Sequence, residues 1–126
     1  MKSILVSTRR PELSVYENGR IDISAHAARL LRLWAGDVVD VMEEDGDFFL
    51  YVRHRKGRII GRHEAMVYPV NKSGRSMRLN SRRLASALIG TTNGLNPVRF
   101  QTGEPVELQG YGKALPVMVH VSTTRL

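Results

Sequence analysis

The sequence predicts a mainly β fold with two short helices, in which two pseudo-symmetric copies form a single domain over residues 1–126. Short segments of alternating apolar and polar residues, separated by turn glycines, predict the strands. Two apolar stripes at helical spacing predict the helices, at 25–33 and 81–89. The pattern of turn, strand and helix occurs twice, which indicates internal copies at about 15–70 and 70–121.

The two copies correspond residue by residue around their first turns. Gly19-Arg20 matches Gly74-Arg75, and after one extra residue in the second copy the next four residues match 77–80. A second turn glycine follows the first after 27 residues in one copy, at Gly46, and after 29 residues in the other, at Gly103. A repeat of this kind constrains the architecture before any single residue is interpreted.

The first half of the chain contains five predicted strands and one helix. Asn18-Gly19 predicts a tight hairpin, because both central residues of a two-residue type I′ turn need positive φ, and Asp45-Gly46 is another such signal. Ser24 is expected to cap the helix, since its hydroxyl can accept from an unpaired amide of the first turn. That helix ends near Trp34. The strands are expected at Ser3–Ser7, Leu13–Tyr16, Arg20–Ile23, Asp37–Met42 and Asp47–Val52.

The second copy follows a basic connector at 53–58 and an extended segment at 59–70. Asn80 takes the N-cap position before the second helix, and a turn-rich loop occupies 90–97. The remaining strands are expected at Val98–Gln101 and Val106–Gln109, paired as a hairpin around Gly103, and at Leu115–Val121.

The positive charge is concentrated in the middle of the chain. The net charge is +7, but residues 1–47 carry six basic and nine acidic side chains, whereas residues 48–103 carry eleven basic and one acidic. Residues 104–126 carry two of each. Such a field favours a polyanion, most simply nucleic acid, through phosphate neutralisation and counterion release. The alternative is a solvated basic surface that aids solubility.

Short motifs in both copies resemble a known superfamily. Gly19-Arg-Ile-Asp-Ile-Ser24, followed by Leu31-x-Leu33-x-x-Gly36-Asp37-x-Val39-x-Val41, resembles the AbrB family of bacterial transition-state regulators. Lys72-Ser-Gly-Arg-Ser-Met-Arg-Leu79, followed by Leu84-Ala-Ser-Ala-Leu88, looks closer to the MazE-type antidote branch. The resemblance covers about 15–52 well and about 70–108 loosely.

The resemblance implies a swapped-hairpin β-barrel of the AbrB type, in which two hairpin–helix–hairpin copies interlock. Both copies lie in one chain here, so the chain either forms a complete pseudo-symmetric barrel or exchanges copies with a second chain as a homodimer. In this family, basic residues near the first turn and strand of each copy contact DNA. On the matching positions these are Arg20, Lys72, Arg75 and Arg78.

The chain departs from the family pattern at three places. Ser24 and Asn80 stand where the family commonly has a proline, and the Gly-Asp after the helix is missing from the second copy. Asp22 occupies the position that matches Arg78, and an aspartate on a DNA face repels phosphate. A one-sided footprint led by the second copy therefore fits the sequence better than two equivalent faces.

Arginine chemistry supports specific roles for the second copy. Arg78 lies between Met77 and Leu79, so it points away from the core if those two point inward. A guanidinium suits bidentate pairing with guanine edges or phosphates, so Arg75 and Arg78 are the candidates for base contact, although both also fit ordinary exposed positions. Further basic residues are expected to contact phosphates or to form a solvated connector: Arg53, Arg55, Lys56, Arg58 and Arg62.

Other functional classes find little support in the sequence. The chain has no cysteine, its four histidines lack the spacing of metal ligands, and its carboxylates cluster near a turn where solvation explains them. We therefore expect no catalytic residues, no metal and no cofactor. No apolar stretch is long enough to serve as a signal peptide or span a bilayer, so a cytoplasmic protein without membrane contact is expected.

Trp34 follows the first helix and is expected to fill the core or an interface, whereas exposure would indicate a partner surface. The leading hypothesis is a small transcriptional regulator that binds duplex DNA through a basic face dominated by the second copy. An interaction or structural module that keeps the barrel without binding DNA is the alternative, with a protein as its partner. An antitoxin ranks lower, because the long acidic tail that usually wraps the toxin is absent.

Overall fold

A computed structural model describes residues 12–57, 63–72, 74–90 and 97–119. Within these ranges the chain is mainly β with two helices, and an antiparallel sheet of nine strands curls into a half-barrel. The predicted fold class is confirmed at this level. The strand expected at Ser3–Ser7 lies outside the described residues.

The elements alternate as two strands, a helix and further strands, and this order occurs twice. In chain order they are β1 (Leu13–Val15), β2 (Arg20–Ile23), α1 (Ala25–Leu30), β3 (Val38–Glu44), β4 (Asp47–His54), β5 (Tyr68–Pro69), β6 (Met77–Asn80), α2 (Arg82–Ile89), β7 (Val98–Thr102), β8 (Val106–Leu108) and β9 (Gly112–Val119).

The strands of the two halves interleave in the sheet. Their order is β3-β4-β9-β7-β1-β2-β6-β5, and β8 pairs with β9. The two ends of this order also meet, because residues 65–67 bond to the start of β3. Val39 donates its backbone N–H to the carbonyl of Ala65 (3.1 Å), and Val67 donates to that of Asp37 (2.8 Å). β1 pairs with β7, and β4 pairs with β9, so each half depends on the other for backbone hydrogen bonds.

The core lies inside the curl of the sheet and is covered by the two helices. Alternation along the strands supplies its inward side chains: in β1, Leu13 and Val15 are buried while Ser14 between them is half-buried. The helices contribute the small or branched residues of their apolar stripes. Its largest fully buried apolar side chains are Phe100, Leu13, Ile23, Leu31, Leu79, Leu88, Leu115, Val15, Val39 and Val67.

The first hairpin uses a longer turn than the sequence predicted. Gly19 donates its N–H to the carbonyl of Tyr16 (3.0 Å), and Tyr16 donates to that of Arg20 (2.9 Å). Gly19 alone has positive φ (102°), so Asn18-Gly19 is not a two-residue type I′ turn. A three-residue loop that ends in a left-handed glycine is compatible with the same strand twist as a type I′ turn. The Asn-Gly dipeptide therefore did not distinguish the two kinds of turn. The turn predicted at Asp45-Gly46 is confirmed, with φ of 54° and 85°.

The hairpin predicted around Gly103 is wrong. β7 and β8 do not pair with each other, and both pair with β9 along one of its edges. The chain stays extended past Gly103, whose N–H donates to the carbonyl of Pro116 (2.9 Å). It reverses instead near Gly110, where φ is 85°. Gly103 does not have positive φ, so a glycine alone did not specify the turn.

The N-cap at Ser24 is confirmed, whereas Asn80 does not cap the second helix. Ser81 has that role, and its hydroxyl accepts from the N–H of Leu84 (3.1 Å). Asn80 instead ends β6, and its side-chain amide donates to the hydroxyl of Tyr68 (3.0 Å). Pairing of β6 with β2 keeps Asn80 in the sheet, so the helix starts one residue later.

A glutamate holds each N-cap serine. The hydroxyl of Ser24 donates to Glu12 Oε1 (2.5 Å), and that of Ser81 donates to Glu64 Oε2 (2.6 Å). The residue two positions after each serine contacts the same carboxylate, as His26 does with Glu12 and Arg83 with Glu64. Hydrogen bonds from Arg83 and Ser81 lower the pKa of Glu64. The two halves thus share a side-chain arrangement that their strand patterns did not reveal.

Helix α1 ends earlier than predicted because Arg32 adopts the left-handed conformation (φ 53°). Arg32 donates its N–H to the carbonyl of Arg29 (3.0 Å), and Leu33 donates to that of Ala28 (2.9 Å). These two bonds form a Schellman motif, in which the left-handed position usually holds glycine.

Replacing Arg32 by glycine should raise the free energy of unfolding by about 1 kcal/mol, because glycine has no Cβ to clash in the left-handed region. Chemical denaturation followed by circular dichroism measures the change. Arg32→Ala is the matched control, since it removes the same charge and keeps the Cβ. An equal gain in both variants would attribute the effect to charge instead of backbone strain.

Candidate nucleic-acid interface

A rigid turn after α1 presents Trp34 to solvent. Trp34 donates its N–H to Asp37 Oδ2 (2.9 Å), and Asp37 donates its N–H back to the carbonyl of Trp34 (2.9 Å). Gly36 between them has a φ of 97°, and a Cβ there would lie 3.2 Å from the Lys56 side chain. The Trp34 side chain is 71% exposed, so the turn places a large aromatic ring on the surface.

The carboxylate of Asp37 organises this turn. It is 1% exposed and accepts from Arg55 Nη1 (3.0 Å) and from the N–H of Lys56 (2.7 Å), besides Trp34. Arg55 also donates to the carbonyls of Arg32 (2.7 Å) and Leu31 (3.2 Å) at the end of α1. A cation at a helix C-terminus satisfies carbonyls that have no partner within the helix. The Trp34 turn is therefore fixed to both α1 and the end of β4.

Two grooves flank Trp34. One has a volume of about 350 Å³ and the other of about 500 Å³. Besides Trp34, the first is lined by Ala28, Arg29, Arg32, Leu33, Gly74, Arg75 and Met77. The second is lined by Ala35, Asp37, Arg55, Lys56 and Gly57.

Positive charge dominates the lining of both grooves. Arg29, Arg32 and Arg75 line the first groove, and in the part of the chain that the structure describes none of them makes an ion pair. Asp37 is the one acidic residue among the lining residues, and Arg55 neutralises it. Cations without a nearby acid are free to bind an anionic ligand.

Arg20 and Arg78 are engaged with Asp22. β2 and β6 pair antiparallel with Asp22 opposite Arg78, and the Asp22 carboxylate lies 2.7 Å from Arg78 Nε and 2.9 Å from Arg20 Nη2. Burial acts to raise the pKa of Asp22, but the hydrogen bonds from Arg78 and Arg20 outweigh it and hold this pKa below its ordinary value. The Arg20 guanidinium also lies over the Tyr16 ring, 4.2 Å from its centroid. Both arginines therefore have partners within the protein.

The other predicted DNA-contacting residues fall into three groups. Lys72 and Arg75 are exposed in the segment before β6. Arg53 is exposed on β4, and its Nη1 lies 3.9 Å from the carboxylate of Asp40. Arg55 and Lys56 follow β4 at the Asp37 network, whereas Arg58 and Arg62 lie outside the described residues. The structure brings Arg75 to Trp34 but does not group all the predicted residues on one face.

The sequence missed two residues of this surface and left the position of Trp34 open. Trp34 is exposed, so it does not fill the core of the described chain, and the alternative of an interface or partner surface remains. Arg29 and Arg32 lie within residues 1–47, where acidic side chains outnumber basic ones, so the charge distribution did not select them. Their position on the polar face of the first helix, just before a tryptophan, was the available signal.

A second polar cleft of about 570 Å³ lies between β3 and the start of α2, and His54 and His63 contribute to its lining. Its arginines have acidic partners: Arg53 lies near Asp40, and Arg83 contacts Glu64 at 2.6 Å. Because these charges are balanced, the cleft is less suited to an anion than the groove beside Trp34.

Comparisons with protein-family models, curated proteins and solved structures give no match to this chain. Among the described residues, no helix has the length and apolar character required to cross a membrane.

Proposed function

We propose that the protein binds duplex DNA as a transcriptional regulator, through a basic face around Trp34. The observation that carries this proposal is the grouping of Arg29, Arg32 and Arg75 in one groove, with no acidic partner among the described residues. Lys72, exposed in the segment before β6, extends the charge.

Phosphate neutralisation supplies the main part of the binding free energy in this proposal. Each cation that contacts a phosphate releases condensed counterions, which favours binding regardless of DNA sequence. The net charge of +7 adds a long-range attraction that speeds association. Of Arg75 and Arg78, the two residues expected to contact bases, Arg75 is the better candidate, because it is exposed and has no acid beside it within the described chain, whereas Arg78 pairs with Asp22.

The proposed face includes both halves of the chain. Arg29 and Arg32 come from α1, and Arg75 comes from the segment before β6. Arg20 and Arg78 contribute less than the family resemblance implied, since Asp22 holds both guanidinium groups. We therefore propose a face shared between the copies, instead of a face led by the second copy.

The strand pairing supports a swapped-hairpin arrangement within one chain. β1 pairs with β7 of the other half. β2 pairs with β6, and β4 pairs with β9, so equivalent strands meet at two places. In this arrangement a monomer is complete, and the solution mass of a monomer is expected.

The dependence of duplex binding on salt tests the proposed function. Three phosphate contacts give a slope of about −2.7 in log K against log salt, which is roughly a 40-fold loss of affinity between 50 and 200 mM salt. Fluorescence anisotropy of a labelled duplex measures the slope. A flat dependence over this range would contradict binding through phosphates.

An interaction module that binds a protein instead of DNA is the second candidate. The Arg20–Asp22–Arg78 cluster favours it, because it removes two cations of the family's DNA face from contact with phosphate. Absence of retention on a duplex-DNA column, together with a defined protein that co-purifies, would support this candidate over DNA binding.

A further inference from the structure

We propose that Trp34 is a stacking platform for an unpaired base, so that the nucleic acid bound at this face includes a single-stranded or extruded nucleotide. The proposal rests on the proposed function, since it requires the basic face to bind nucleic acid. The ligand group at this position is a planar base, and Trp34 is the residue that contacts it.

The exposure of Trp34 is built into the local backbone. Trp34 is 71% exposed, and its turn is fixed by hydrogen bonds with the buried Asp37. Leaving an indole in water forgoes the stabilisation that its burial gives. Because the turn is held in place, little backbone conformational entropy is lost when a ligand contacts the ring.

The two grooves provide space for a nucleic-acid strand on both sides of the indole. Arg29, Arg32 and Arg75 line one groove, and Lys56 lines the other. Proteins that bind single strands combine these same parts, an aromatic ring for the base and cations for the backbone on either side. In this geometry one base lies on Trp34 while its neighbouring phosphates lie over the two grooves.

An unpaired base fits this surface better than a paired base or an apolar protein segment. The faces of a paired base are covered by its neighbours in the duplex, so an indole reaches them only when the base is unpaired or extruded. An apolar partner that covered Trp34 would also bury arginines that have no acid beside them among the described residues, which is costly. The combination of ring and cations therefore indicates a ligand that is both planar and anionic.

Intrinsic fluorescence provides a direct test, because Trp34 is the only tryptophan in the chain. A single-stranded oligonucleotide should quench this fluorescence on binding, whereas heparin, a polyanion without bases, should bind with little quenching. A blunt duplex of the same sequence should quench less than the single strand.

Substitution at Trp34 separates stacking from phosphate contact. Trp34→Ala should weaken binding of the single strand by about 5- to 100-fold, in line with the contribution of one stacked base, and Trp34→Phe should restore part of the loss. The side chain is exposed, so both variants should keep the wild-type melting temperature. Tyr111→Ala is a control, since it removes another exposed aromatic ring, outside both grooves.

Different failures identify which proposal is wrong. If the duplex binds but Trp34→Ala leaves single-strand affinity unchanged, stacking is overturned and the proposed function stands. Equal quenching by heparin and by the oligonucleotide also overturns stacking. If neither nucleic acid binds, the proposed function fails and the stacking proposal fails with it.

Discussion

Replacing Asp37 by alanine should lower the free energy of unfolding by about 3 kcal/mol, the largest loss we expect from a single polar residue in this chain. The carboxylate is 1% exposed and accepts three hydrogen bonds, from Trp34, Arg55 and Lys56. Its removal leaves a guanidinium and two backbone amides without their acceptor. Arg55 is 46% exposed, so water compensates in part, and we take the low end of the range for a broken buried pair.

Asp40→Ala is the matched control, because it removes the same group from β3, the strand that begins after Asp37. The Asp40 side chain is 32% exposed, lies 3.9 Å from Arg53 and accepts one hydrogen bond, from the N–H of the adjacent Val41, so its loss should cost about 1 kcal/mol or less. Urea denaturation followed by circular dichroism gives both values. A cost below 1 kcal/mol for Asp37→Ala would show that the carboxylate does not hold the turn. The loss in the free energy of unfolding for Asp37→Asn should lie between those for Asp37→Ala and Asp40→Ala, because the amide oxygen of asparagine still accepts a hydrogen bond.

Replacing Arg29, Arg32 and Arg75 together by alanine should weaken duplex binding by roughly 100-fold or more at about 0.1 M salt, and should reduce the salt slope by about 2.7. The three residues line one groove and have no acidic partner within the described ranges, so their charge is available to phosphate. Anisotropy titrations of one labelled duplex at several salt concentrations measure both quantities.

A second triple variant separates this face from net charge. Three exposed cations lie outside both grooves and can be removed together, with the same change in charge: Arg82, Arg99 and Lys113. This control should retain most of the affinity and nearly all of the salt slope. Equal losses in the two triple variants would mean that DNA binding depends on overall charge and not on the groove beside Trp34.

The local features of the sequence predicted most of the secondary structure. Alternation identified β2, and the Asp45-Gly46 dipeptide identified the turn of the β3–β4 hairpin. Ser24 was predicted as an N-cap because its hydroxyl bonds to an amide three residues away. Each of these features depends on contacts within a few residues, so the sequence of one short segment is enough to predict it.

Features that depend on distant partners were missed. Gly103 has the sequence of a turn, but Pro116 and the rest of β9 keep its strand extended. Asp22 was interpreted as a charge that repels phosphate, whereas Arg78, 56 residues later, pairs with it across β2 and β6. No local pattern specifies which strand lies beside which, because strand pairing is set by burial of the whole core.

The sequence by itself determined a mainly β chain with two helices and a positive middle segment, since propensity, alternation and composition act locally. Only the tertiary structure decided which charges remain available to a ligand. Folding neutralises Arg55 with the buried Asp37, whereas Arg29 and Arg75, from different halves of the chain, line one groove beside the exposed Trp34. The physical reason is that an ion pair or a groove requires residues close in space, and the strand order that brings them together is a property of the complete sheet.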